Sequence, residues 1–268
     1  MQDWRAINTY FEIDRLFEGL GVYSNSVAMI HGDAGALLSI ANKREDVSAC
    51  AEAILDYFGE TGTVIIPTFT YSATKSECYE VESTPGSIGR FSEIFRINPR
   101  MRRTKHPNFS VCVAGSESKN ILEARIDDAF GKGTIFDFLY NANASLMTIG
   151  CSINALTYTH YVEQQVQVLY RYLKSFKAEI KTAEYLERIE TTYYVRNLDL
   201  EFDTGIDLTK FQNRAIESGH LSVSKFGRFQ STAIRARDCF DLMRQMLGEN
   251  QLALVRGGNA ISPRGFDS

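Results

Sequence analysis

Short apolar runs alternate with longer amphipathic stretches over the first two thirds of the chain, and this rhythm predicts the elements. Val27-Ala28-Met29-Ile30, Thr63-Val64-Ile65-Ile66, Val111-Cys112-Val113-Ala114 and Ala144 to Ile149 read as buried strands bounded by turn residues. Ile7 to Leu20 has apolar positions at helical spacing and stops at Gly21, and Asp46 to Phe58 sets Val47, Cys50, Ala51, Ile54 and Leu55 on one face. A small-residue turn, His31-Gly32-Asp33-Ala34, leads from the first strand into another predicted helix. Ser72 to Gly89 reads as loop, Arg90 to Ile97 as a helix stopped before Pro99, and Phe130 to Leu139 as a glycine-flanked turn feeding a short helix. Such alternation predicts an α/β fold, a central mostly parallel or mixed sheet flanked by helices.

Beyond Glu163 the pattern changes. Val168 to Phe176 and Thr191 to Arg196 alternate as strands of a hairpin, and helices are predicted near Leu208 to Ser218 and from Thr232 to Met246. The expectation is a single domain with a core over about 20–165, a C-terminal β/α extension over about 166–256, and a disordered tail at 257–268.

Bulk properties narrow the function classes. A net charge of −4 argues against a nucleic-acid partner held by phosphate neutralisation. No apolar run approaches transmembrane length, and the start lacks a signal peptide's apolar core, so a soluble cytoplasmic protein is expected. Five scattered cysteines without a Cys-x-x-Cys pair suit reduced thiols.

The chemistry concentrates in Met147 to Glu163. A buried strand ends at Gly150, Ser152 or Asn154 can cap the following helix, and His160 and Glu163 then share one helical face. An imidazole beside a carboxylate is an oriented general base. Three other readings use the same residues: a core histidine beside a solvated glutamate, a zinc site completed by His220, and a Cys151 nucleophile served by His160. Elsewhere, Thr68-Phe69-Thr70-Tyr71 leaves a strand end. The basic run Arg100 to Lys105 sets Arg102, Arg103 and Lys105 beside the sheet, which suits a phosphate-rich cofactor. Tyrosines at 158, 161, 170, 172, 185, 193 and 194 read either as core edge or as a wall for sugar rings.

Several segments in order resemble the aminoglycoside 3-N-acetyltransferase family. They are Val27 to His31 with its turn, Gly62 to Thr70 with its Pro67-Thr68-Phe69-Thr70, Arg103 to Val111 with its His106-Pro107-x-x-Ser110, Phe130 to Thr134, and Asn154 to Glu163 with its His-x-x-Glu. The resemblance covers roughly residues 25 to 175 well. It implies a non-GNAT α/β acetyltransferase that moves an acetyl group from acetyl-CoA to an amine of an amino sugar by direct transfer, without a metal. His160 would be the base and Glu163 its orienting partner. His31, Gly32, Asp33, Ala34, Thr68, Arg103, Thr104, Lys105, Gly131, Gly133 and Thr134 would line the coenzyme. Phe69, Tyr71, Asn154, Thr157 and Tyr170 would meet the acceptor, with the C-terminal part on the acceptor side. Thr68 or the turn after Ile30 would face the oxyanion. The partners implied are coenzyme A and a small amino sugar, with homo-oligomerisation left open.

Two departures stand out. The first turn reads His31-Gly32-Asp33-Ala34 where the family usually has His-Ser-Ser-Leu, and a downstream Gly-Gly pair is replaced around Lys43-Arg44-Glu45-Asp46. Tyr170 to Phe176 looks more like relatives that modify amino sugars for surface polysaccharides. A nucleotide-linked or polysaccharide amino sugar is therefore the expected acceptor, with an aminoglycoside antibiotic as the alternative.

Overall fold

The computed structural model describes residues 4–40, 47–226 and 228–259. In order, the chain forms α1 (Trp4–Gly19), β1 (Val27–Gly32), α2 (Ala34–Ile40), α3 (Val47–Phe58), β2 (Thr63–Pro67), α4 (Ser72–Lys75) and β3 (Tyr79–Glu80). There follow α5 (Arg90–Arg96), β4 (Arg102–Arg103), β5 (Val111–Gly115), α6 (Ser118–Leu122), α7 (Ile135–Asn141), β6 (Ser145–Ile149) and α8 (Tyr158–Val166). The last elements are β7 (Arg171–Lys181), β8 (Leu186–Arg196), α9 (Thr209–Glu217), β9 (Ser222–Phe226), β10 (Phe229–Arg235) and α10 (Ala236–Glu249).

Among the described residues the main sheet runs β4-β5-β2-β1-β6-β10-β9. Its centre, β2-β1-β6, is parallel. On one side β5 runs antiparallel to β2, and on the other β10 runs antiparallel to β6. The sheet is therefore mixed. Because strand side chains alternate, each central strand feeds two cores. Ala28, Ile30, Val64, Ile66, Met147 and Ile149 meet residues of α1, α2, α3 and α5. Met29, Ile65, Val111, Val113, Leu146 and Ile234 meet those of α7, α8 and α10 on the opposite face. Both faces are covered, which is why the strands read as unbroken apolar runs.

The sequence expectations are corrected in several places. Thr232 to Arg235 is not the start of a helix but the end of β10, and only Ala236 onward is helical. β9 and β10 join the main sheet, so the region after 166 supplies part of the central layer as well as the hairpin. The predicted loop over 72–89 contains α4 and β3, and β3 pairs parallel with β7 to make a second sheet, β3-β7-β8. The hairpin is longer than its alternation suggested, pairing Arg171 with Arg196 at its base and Lys181 with Leu186 at its tip. Of the tail expected to be disordered over 257–268, residues 257–259 lie in a 3-10 turn, Arg256–Asn259, and the rest, like the departure at Lys43 to Asp46, lies outside the described residues. Among the described residues, no helix is long and apolar enough to cross a membrane.

Candidate active site

β1 and β6 are parallel neighbours, so their carboxyl ends, Gly32 and Ile149, open on the same edge of the sheet. From that edge the chain turns at Gly150 (φ 70°), where an added Cβ would stand 2.2 Å from the Ala36 side chain. Only glycine satisfies both the left-handed backbone and the close approach of α2. Ser152 then caps a short 3-10 turn over Ile153–Ala155 by accepting from the Asn154 N–H, one element earlier than the helix that carries the pair. α8 follows, packed against α7 and α10.

On α8, His160 Nδ1 lies 2.6 Å from Glu163 Oε2. The His160 side chain is 18% exposed while that of Glu163 is 0% exposed, so one edge of the ring reaches out of an otherwise closed pair. Gln167, left-handed at φ 58°, ends α8 and turns the chain back, and the Val168 N–H returns to the Glu163 carbonyl. This reversal lays Tyr170 and Arg171 against the Glu163 side chain. The Tyr170 hydroxyl donates to Oε1 at 2.8 Å. Arg171 Nε stands 2.7 Å from Oε2 as an ion pair rather than an aligned hydrogen bond. The Phe130 ring packs on the His160 ring at 5.7 Å, backed by Phe109 and Tyr193.

The electrostatics keep the pair poised. Burial pushes the Glu163 carboxyl up, but His160 and Arg171 together with the hydrogen bonds of His160 and Tyr170 outweigh it and hold it low. Glu163 is therefore an anion. Burial, then the positive charges of Arg171 and Arg196, hold the His160 imidazole below its ordinary range against the pull of Glu163. A neutral ring facing a carboxylate through Nδ1 has its proton on Nδ1 and its lone pair on Nε2.

The other candidate residues divide. His31, at the end of β1, brings Nε2 to 3.4 Å from Thr157 Oγ1, close to the start of α8. Gly32 is needed for packing, since a Cβ there would stand 2.3 Å from the Phe91 ring of α5. Asp33 and Ala34 shape the start of α2, with Asp33 Oδ1 accepting from the Gly35 N–H at 2.7 Å. Thr68 is wholly buried, donating to the Ser110 carbonyl and accepting from Arg103 Nε. Its hydroxyl does not face a cleft. Arg103 is committed inward to the carbonyls of Thr68, Val81 and Thr84. Thr104 is buried and accepts from the Val111 N–H. Lys105 pairs with the Tyr185 hydroxyl at 2.6 Å.

Gly131 makes room for the Asp128 carboxylate, Gly133 has φ 80°, and Thr134 caps α7. Local structure thus accounts for all three. Phe69 is buried and Tyr71 is half-buried in a left-handed conformation (φ 57°), both against Phe109. Asn154 accepts from the Leu208 N–H at 2.7 Å, tying the loop to α9. Tyr170 is fully buried, so it supports Glu163 from beneath instead of meeting an acceptor. Arg171 was not singled out by sequence, and Tyr193 entered only as one of the clustered tyrosines. The one available signal was that Arg171 follows Tyr170 directly.

Two rival chemistries do not fit the geometry. Among the described residues no three His, Cys, Asp or Glu side chains converge as a metal group, and His220 instead sits 3.7 Å from Asp238. Burial raises the Cys151 thiol to about 11, far from a ready thiolate.

The sequence profile of the aminoglycoside 3-N-acetyltransferase family matches residues 29–248. The SPbeta prophage-derived aminoglycoside N(3')-acetyltransferase-like protein YokD of Bacillus subtilis (strain 168) is 21% identical over an alignment of 172 residues, with 56% of this chain and 62% of that relative's length covered. The fold is similar to the apoenzyme crystal structure of aminoglycoside acetyltransferase AAC(3)-IVa, with a TM-score of 0.74 at 19% identity over 94% of this chain and 92% of that one. It is also similar to AAC-IIIb in its binary structure with CoASH, with a TM-score of 0.73 at 15% identity over 90% of this chain and 96% of that one. The profile match runs from β1 into α10 and takes in the buried carboxylate and its imidazole: the chain belongs to the aminoglycoside 3-N-acetyltransferase family.

Proposed function

We propose that the protein acetylates an amine of an aminoglycoside-type amino sugar, using acetyl-coenzyme A and His160 as general base. The observation that carries this reading is the 2.6 Å contact of His160 Nδ1 with a fully buried carboxylate, which leaves Nε2 as the basic atom. A protonated amine has no lone pair to give. Nε2 takes one proton from the ammonium and passes it on to solvent, and the neutral nitrogen bonds to the acyl carbon. The carbon–sulfur bond breaks as the nitrogen gives up its second proton, the one the leaving thiolate takes, and amide and thiol are released. Glu163 holds the ring and offsets the charge that develops on it, a role worth about 10²–10⁴ in rate for the base as a whole.

The coenzyme supplies the acyl group already activated as a thioester. A cavity of about 790 Å³ beside β4 offers Arg102, Lys105 and Lys119 to the coenzyme's phosphates, alongside Glu82, Glu123 and Glu184 in the same lining. The family and the names of its relatives favour an aminoglycoside over the nucleotide-linked or polysaccharide amino sugar suggested by Tyr170 to Phe176. In the structure the first two residues of that segment are occupied with Glu163.

The test is free thiol release, with mass spectrometry of the product, when the full chain is mixed with acetyl-coenzyme A and separate panels of aminoglycosides and nucleotide-linked amino sugars. Acetylation confined to the aminoglycosides is expected. Turnover confined to the sugar nucleotides would move the acceptor to the biosynthetic class, and no thiol release with any amine would sink the reading.

A further inference from the structure

We propose that Tyr170 and Arg171 are positioning residues for the His160–Glu163 pair, gripping both oxygens of Glu163 so that its charge stays fixed and His160 Nε2 stays free to accept a proton. This deepens the reading above and rests on His160 being the base. The grip is two-handed. Tyr170 donates to Oε1 at 2.8 Å, while Arg171 Nε stands 2.7 Å from Oε2, the same oxygen that faces His160 Nδ1 at 2.6 Å. Arg171 is itself anchored, with Nη1 donating to the Tyr194 carbonyl at 3.2 Å and a side chain only 1% exposed. A carboxylate with no solvent around it needs such partners to remain ionised.

The two residues act in different ways. Tyr170 fixes Oε1 and spreads the charge of Glu163, so the carboxylate pulls less on the imidazole proton. Arg171 neutralises Glu163 while adding a positive charge next to His160, which opposes protonation of the ring. The charged and titratable groups around the ring are Glu163 on α8, Tyr170 and Arg171 next to and on β7, and Tyr193 and Arg196 on β8. Arg196 sits directly opposite Arg171 in the hairpin, so two cations share the side from which the ring feels positive charge. The fold thereby gives a base that stays unprotonated below the usual histidine range, at some cost in intrinsic basicity.

The experiment follows the His160 imidazole by nitrogen-15 NMR in the full chain without substrates, with assignment by His160→Gln, and pairs this with steady-state kinetics. Tyr170→Phe removes one hydroxyl. It is expected to lower kcat about tenfold or more, leave both KM values within about twofold, and move the titration of His160 upward. Arg171→Gln removes the charge and is expected to move the titration upward as well, by more than Tyr170→Phe. Arg171→Lys restores the charge and is expected to return the titration close to wild type while kcat stays low.

A folded Tyr170→Phe protein with wild-type kcat and titration overturns the proposal. So does a rise in KM at unchanged kcat, which would make Tyr170 a binding residue. If Arg171→Gln does not fold, Tyr170→Phe and Arg171→Lys still decide. A wild-type protein that acetylates no acceptor would end the acetyl-transfer reading, while the titrations would still decide whether the clamp exists.

Discussion

At the scale of the residue, the three-way contact at Glu163 separates activity from stability. His160→Ala removes the base but leaves Glu163 and Arg171 paired, so activity should fall about 10²–10⁴-fold with little change in the denaturation midpoint. Glu163→Gln should also cost activity, and in addition it leaves the Arg171 guanidinium buried without a counter-charge. Breaking such a pair costs about 3–5 kcal/mol, so Glu163→Gln should unfold at clearly lower urea than His160→Ala. Equal midpoints for the two variants would show that Arg171 is not held as described.

Two further histidines set the acid stability. Burial pushes His31 and His106 each down to about 4 from the ordinary 6.5. His106 Nδ1 accepts from the N–H groups of Asn108 and Phe109, a contact that only the unprotonated nitrogen can make. Because the folded values are depressed, the unfolded chain binds protons first as pH falls. The stability from keeping these rings neutral is complete above about pH 6.5 and is lost as pH falls toward 4, by roughly 3 kcal/mol for each ring. Denaturation midpoints measured at pH 7.5, 5.5 and 4.5 should therefore fall in step, and a flat profile would show that the rings are not sealed.

At the scale of the element, the site is built from a strand end, a turn and a helix whose partners come from elsewhere in sequence. Gly32 closes β1 against the Phe91 ring of α5, so Gly32→Ala should destabilise the fold by about 1–3 kcal/mol through overpacking. Combining it with Phe91→Leu should recover part of that loss. A rise in KM for acetyl-coenzyme A without any loss of stability would instead return Gly32 to the coenzyme.

The left-handed Gln167 is the other hinge of the design, since it turns α8 back so that Tyr170 and Arg171 fall on Glu163 seven and eight residues after it in sequence. The proximity was written locally, but its meaning was not. From sequence, Tyr170 reads as one of a crowd of tyrosines at a core edge or a sugar-binding wall, and the family resemblance places it toward the acceptor. Its neighbours Tyr158 and Tyr161 pack into the helical core with Phe240, while Tyr172 and Tyr185 are exposed.

At the scale of the whole molecule, a mixed sheet with both faces covered draws strands from nearly the full length of the chain. The apolar runs of β1, β2, β5 and β6 were legible because strands buried on both faces must be apolar throughout. β10 was not, since Thr232-Ala233-Ile234-Arg235 flows into α10 without a turn, and a short buried run has the same pattern in a strand as in a helix. β3 and β4, two residues each, carry too little pattern to read; their pairing partners define them.

The basic segment shows the same divide. Arg103 beside Lys105 reads as a cluster of cations for phosphates, yet Arg103 is drawn inward by three carbonyls that only the folded loop presents. The sequence alone determined the strand ends, the helix that carries His160 and Glu163, and their common face, because these follow from apolar period, glycine and a three-residue spacing. The tertiary structure decided which side chains surround that face. Burial, the charge of Arg171 and the hydroxyl of Tyr170 depend on the hairpin returning over α8, and the state of a titratable pair is set by what excludes water from it.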